Sequence, residues 1–180
     1  MGVSVPRYTV DDLERFPDDG NRYELLDGVL LVTTAPAARH QIVANRLQVQ
    51  LSIPLVPTKI AHVVGPGVVV RKPNTQLQPD VLVYPARFSP TTDWPKIDDQ
   101  WLAIEVLSRS SRIYDREFKR DAYLALGVRE VWLVDLRAKT VEVSRTRGAV
   151  KTVSDVIRWR VPGKSLIVTI DLAAVFAGLP

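Results

Sequence analysis

Trp101-Leu102-Ala103-Ile104-Glu105-Val106-Leu107 is the stretch on which the fold turns. Taken in alternation, Leu102, Ile104 and Val106 fill one face of a strand, while Ala103, Glu105 and Leu107 share the other. Both faces are apolar, as in a strand covered on both sides at the centre of a sheet. Glu105 is then an anomaly, because an ionised carboxylate buried there is costly unless a cation or several donors meet it. The plainer alternative is an edge strand whose second face meets water. A similar acid lies upstream, where Asp80 follows Gln78-Pro79 and opens the apolar run Val81-Leu82-Val83.

Outward from these two strands, eight of the chain's thirteen prolines fall between Pro54 and Pro95. An interior proline costs a helix about 3 kcal/mol, so this region must be short strands and turns. Ile60–Val64, Gly67–Arg71, Val81–Tyr84 and Trp101–Leu107 are its strand candidates. Upstream, Thr9 begins a short capped helix, and Tyr23 to Val32 reads as a hairpin turning at Asp27-Gly28. Ile42, Val43, Leu47 and Leu51 recur at helical spacing from about Ala38 to Ile53, with Pro54 as the stop. Downstream, a helix runs from about Ser111 to Leu126 and ends at Gly127. Strands follow at Glu130–Asp135, Thr140–Ser144 and near Leu166–Ile170, and Asp171 caps a last helix. Trp101, Trp132, Leu172, Val175 and Phe176 are core candidates. The expected class is α/β (α+β): one domain over 1–180 with a mixed central sheet flanked by helices and an N-terminal hairpin.

Composition narrows the chemistry. The 180 residues contain no Cys, which excludes disulfides, zinc-thiolate sites, iron–sulfur clusters and thiol nucleophiles. Two His argue against an all-imidazole metal site. No apolar run reaches the roughly 18 residues that span a bilayer, and the first residues lack a secretory pattern, so a cytoplasmic protein is expected. A net charge of +4 is compatible with a polyanionic partner without requiring one. Catalysis then rests on carboxylates, Lys, Ser/Thr, Tyr or a hard metal. Ser108 and Ser111 precede a helix and read as capping residues, since no His lies nearby in sequence to serve a nucleophile.

Two acids on neighbouring strands supply oxygen ligands for Mg²⁺ or Mn²⁺. Such an ion activates its water and offsets charge developing on a phosphodiester under attack. Lys119, one helix downstream of Glu105, is the nearest candidate to orient that water. Its plainer reading is a surface i,i+4 pair with Asp115, worth a few tenths of a kcal/mol.

Several ordered segments carry a resemblance. They are Tyr23-Glu24-Leu25-Leu26-Asp27-Gly28, Arg39-His40-Gln41, Gln78-Pro79-Asp80, Glu105-Val106-Leu107-Ser108, Tyr114-Asp115-Arg116 with Lys119 and Tyr123, and the run from Gly127 to Asp135. Over about residues 20–145 the chain resembles the Uma-type family of putative restriction endonucleases, within the PD-(D/E)XK nuclease superfamily. The resemblance implies a restriction-endonuclease-like core, with Pro79-Asp80 as the "PD" element and Glu105 as the second acid. The superfamily pattern places a Lys two residues after that acid, where this chain has Leu107, and the resemblance shifts the role to Lys119.

Glu24 is the third candidate metal ligand, since related nucleases often complete the site with an early Glu. Its alternative is a solvent-facing strand residue opposite a positive side chain. His40 is a candidate for phosphate contact or proton transfer, or else a partly exposed helix residue. Arg112, Arg116, Lys119 and Arg120 form a basic stripe that would meet DNA phosphates, with Tyr114, Phe118 and Ala122 on the buried side. That stripe also reads as a solvated face diluted by Asp115, Glu117 and Asp121. The expected activity is metal-dependent hydrolysis of DNA by a homodimer. The rival readings are an inactive nuclease-fold protein that binds nucleic acid or regulates, and a metal-dependent phosphoesterase acting on a small substrate.

Overall fold

The central element of the computed structural model, which describes residues 7–107 and 118–180, is a six-stranded mixed sheet. The strands in chain order are β1 (Arg22–Leu26), β2 (Val29–Thr33), β3 (Ala61–Val64), β4 (Val69–Arg71), β5 (Thr75–Leu77) and β6 (Val81–Pro85). They continue with β7 (Leu102–Leu107), β8 (Glu130–Asp135), β9 (Thr140–Arg145), β10 (Lys151–Val153), β11 (Val156–Arg160) and β12 (Ile167–Asp171). The helices are α1 (Ala38–Leu55), α2 (Arg120–Ala125) and α3 (Leu172–Phe176). Among the described residues the large sheet runs β10-β9-β8-β7-β6-β3, a second runs β2-β1-β5-β4, and β11 pairs with β12. Only β7 and β8 of the large sheet pair in parallel, which requires the crossover that contains α2. None of the helices among the described residues is long and apolar enough to cross a membrane.

All six residues of β7 are buried, as an apolar pattern on both faces demands. Leu102, Ile104 and Val106 join a core with α1, α3, β11 and β12. Ala103 and Leu107 face a second core with Leu82, Tyr123, Val131 and Leu133. Glu105 therefore lies on the side of the sheet that meets α2 and the β1 hairpin.

The hairpin turns where Asp27 and Gly28 both take positive φ, at 49° and 79°, the backbone of a tight two-residue turn. Gly127 ends α2 at φ 95°, and the Asp171 carboxylate accepts from the N–H groups of Ala173 and Ala174 to cap α3. Trp101, Trp132, Leu172, Val175 and Phe176 are buried.

Three expectations need correction. The α1 helix continues through Pro54 to Leu55, because a proline in the last turn forfeits a single backbone hydrogen bond. Ile42 is 42% exposed, and the buried stripe of α1 is His40, Val43, Ala44, Leu47, Leu51 and Leu55. Phe118 is 49% exposed rather than buried. The short helix expected after Thr9 is present, as a 3₁₀ helix over Val10–Arg15. Strands β5, β10 and β11 are additional to those expected.

Candidate active site

Register brings the two anomalous acids together. In the antiparallel pair β6–β7, Val81 faces Ile104 and Leu82 faces Ala103. One step further along the same register sets Asp80 opposite Glu105, on a shared face of the sheet. The approach of Asp80 is fixed by the loop before β4. Gly67 N–H donates to Pro79 O at 3.0 Å, and a Cβ on Gly67 would collide with the Leu82 side chain. Only a glycine lets that backbone lie so close to the start of β6.

Asp80 is 7% exposed. Its Oδ2 accepts from Val106 N–H at 2.8 Å and lies 3.2 Å from Nε2 of His40, in the first turn of α1. Its Oδ1 accepts from both Nη1 and Nη2 of Arg22, each at 3.2 Å. Burial works against ionisation of Asp80. His40, Arg22 and the Val106 N–H outweigh it and hold the carboxyl below the usual carboxylate range. Burial likewise opposes the charge on Arg22, yet Asp80, Glu105 and Glu24 together push the guanidinium pKa up. His40 Nδ1 is buried and has no hydrogen-bond partner among the described residues.

Glu105 is 2% exposed, and its Oε1 accepts from the Tyr123 hydroxyl at 2.7 Å and from Lys119 Nζ at 3.4 Å. Lys119 is 4% exposed and also donates to Glu24 Oε2 at 2.7 Å. The other oxygen of Glu24, fully buried on β1, accepts from Gln78 N–H at 2.7 Å. Among the described residues, then, three carboxylates stand around two side-chain cations at the junction of the two larger sheets. The charges are buried as pairs, the condition under which such groups are tolerated.

Asp80, Glu105, Lys119, Glu24 and His40 are thus brought into one cluster. Lys119 leaves the expected basic stripe, because its ammonium turns inward to two glutamates. Arg120, the next residue, is partly exposed and pairs with Asp121 at 2.8 Å. Arg112 and Arg116 lie outside the described residues, as do Ser108, Ser111, Tyr114, Asp115 and Glu117. Arg22 and Tyr123 complete the cluster without having been singled out as site residues. Each carries a signal: Arg22 precedes Glu24 by one strand period, and Tyr123 follows Lys119 by one helical turn.

The donor set suits a hard cation. Two facing carboxylates in a Cys-free chain match Mg²⁺ or Mn²⁺, which need only one or two carboxylates because they retain water. Among the described residues no group of three or more His, Asp or Glu side chains is placed to hold a metal ion together. Asp80 and Glu105 are the pair that would hold such an ion.

The family model described as "Putative restriction endonuclease", Uma2, matches residues 10–169. The chain belongs to the Uma2 family. A crystal structure of a putative nuclease belonging to DUF820 from Anabaena variabilis has the same fold as this Uma2 protein. The two superpose with a TM-score of 0.77 at 18% identity, over 96% of this chain and 99% of the other. No curated protein matches the sequence.

Proposed function

We propose that this Uma2 protein is a metal-dependent endonuclease that hydrolyses phosphodiester bonds in DNA. The observation that carries the reading is the β6–β7 register, which extended by one position sets Asp80 opposite Glu105, with the Lys119 ammonium 3.4 Å from Glu105. Membership of a family of putative restriction endonucleases, and the fold shared with the putative nuclease from Anabaena, support it.

Asp80 and Glu105 would hold Mg²⁺ or Mn²⁺, which when bound supplies an activated water and a positive charge beside the phosphate. The Val106 N–H and His40 fix Asp80 Oδ2, so the orientation of that carboxylate is set before any ligand arrives. Tyr123 does the same for Glu105. Lys119 orients the attacking water and offsets charge on the phosphate, and Glu24 holds the ammonium in place through its 2.7 Å hydrogen bond. Arg120, Arg112 and Arg116 would add sequence-independent phosphate affinity, and a twofold homodimer would present one site to each strand.

A second reading draws on the burial of the site. Asp80, Glu105 and Lys119 are each less than a tenth exposed, which suits a nuclease fold that binds nucleic acid without turnover. Incubation of plasmid DNA with Mn²⁺ and the wild type, Asp80→Asn or Glu105→Gln decides between them. Nicking by wild type alone supports the endonuclease. Salt-sensitive DNA binding without nicking by any of the three proteins supports the binder.

A further inference from the structure

The two oxygens of Asp80 are held in different ways. Oδ2 is pinned by a backbone N–H at 2.8 Å, a donor that cannot move without distorting β7. Oδ1, by contrast, accepts among the described residues the two guanidinium N–H groups of Arg22, each at 3.2 Å. Nη1, one of those two nitrogens, also donates to Gln78 O at 3.0 Å, so Arg22 keeps a backbone acceptor when Oδ1 is given up. Its side chain is 21% exposed against 4% for Asp80. The carboxylate is locked in, and the cation on it has water on one side. Arg22 also feels the charges of Glu24 and Glu105, so its guanidinium sits in the shared field of all three acids.

A divalent ion binding between Asp80 and Glu105 must take a carboxylate oxygen of Asp80. Oδ1 is the one whose present partner can leave. Two positive groups cannot share that oxygen at contact distance without strong mutual repulsion. We propose that Arg22 is a resident counter-ion for the acid pair, which the divalent cation displaces from Asp80 on binding. This rests on the reading of Asp80 and Glu105 as the metal-holding pair. Arg22 makes the buried acid tolerable before the metal arrives, and its competition sets the metal concentration at which the site fills.

Calorimetric titration with Mn²⁺ alone, paired with melting curves with and without Mn²⁺, tests the idea on wild type, Arg22→Gln and Arg22→Lys. Metal-free Arg22→Gln should melt lower than wild type. It should bind Mn²⁺ about tenfold more tightly or better, the scale on which one adjacent charge acts on a carboxylate. Its melting temperature should rise more on adding Mn²⁺. Arg22→Lys, which keeps a charge but loses the fork, should fall between, and it decides the matter if Arg22→Gln does not fold. Binding by Arg22→Gln alone would be the same result in its extreme form. Equal or weaker Mn²⁺ binding by the folded variants would overturn the counter-ion role while leaving the metal site intact. No binding by wild type or either variant would overturn the metal-holding pair, and the exchange with it.

Discussion

Lys119, at the start of α2, donates to Glu24 of the β1 hairpin at 2.7 Å, joining positions 95 residues apart in the chain. Both side chains are nearly or fully buried, and Glu24 receives a second bond from Gln78 N–H. The pair ties the hairpin sheet to the crossover of the central sheet.

Glu24→Ala removes from a buried ammonium the acceptor 2.7 Å away. Loss of one partner of a buried pair costs about 3–5 kcal/mol. Urea unfolding should show a loss on that scale, and plasmid nicking should fall with it because the ammonium loses its anchor. Unchanged unfolding midpoints would mean the pair has little structural weight.

Asp80 gives a signed pH dependence. Its folded pKa is depressed, so its ionised form stabilises the protein above the unfolded value of about 3.9. That stabilisation is lost as pH falls through the folded pKa. The stability difference between wild type and Asp80→Asn should therefore be largest near neutrality and shrink below about pH 4. Chemical denaturation at pH 7, 5 and 3 measures it, and a gap that widened on acidification would contradict the assignment.

Tyr123→Phe removes the hydroxyl that donates to Glu105 at 2.7 Å and little else. A hydrogen bond to a charged group contributes about 1.5–3 kcal/mol, so the melting temperature should drop while the fold is retained. Far-UV circular dichroism checks the second half of that statement.

Gly67→Ala tests how Asp80 is presented. The new methyl group would run into the Leu82 side chain, and overpacking of this kind costs about 1–3 kcal/mol. The loop would have to retreat from Pro79, so Mn²⁺ affinity should weaken together with stability.

Much of this arrangement was legible in the chain. Glu105 stood out because apolar neighbours on both faces left it no water, and the described strand is buried throughout. Asp80 stood out because an apolar run began directly after it. Pairing the two required register, which comes from the turn and loop geometry between Pro85 and Trp101, and single-strand periodicity does not contain it. Arg22 escaped notice because an arginine opening a hairpin strand ordinarily faces solvent, and its partner lies 58 positions away. Lys119 was read both as the candidate to orient the water and as a member of a basic stripe, the second because its neighbours in sequence are charged, whereas the acids that turn it inward come from β1 and β7. Thr75–Leu77 is too short, at three residues, to declare itself as a strand between prolines. Val156–Arg160 did carry the signal, with Ile157 and Trp159 buried between exposed neighbours.

The hairpin that supplies Glu24 and Arg22 is made early in the sequence, while the lysine that meets it comes almost a hundred residues later. During synthesis, a nascent chain stopped short of position 119 holds the facing acids but no ammonium. A fragment begun after position 24 holds the ammonium without Glu24. Neither piece holds the whole cluster, so the centre assembles only once position 119 has been made.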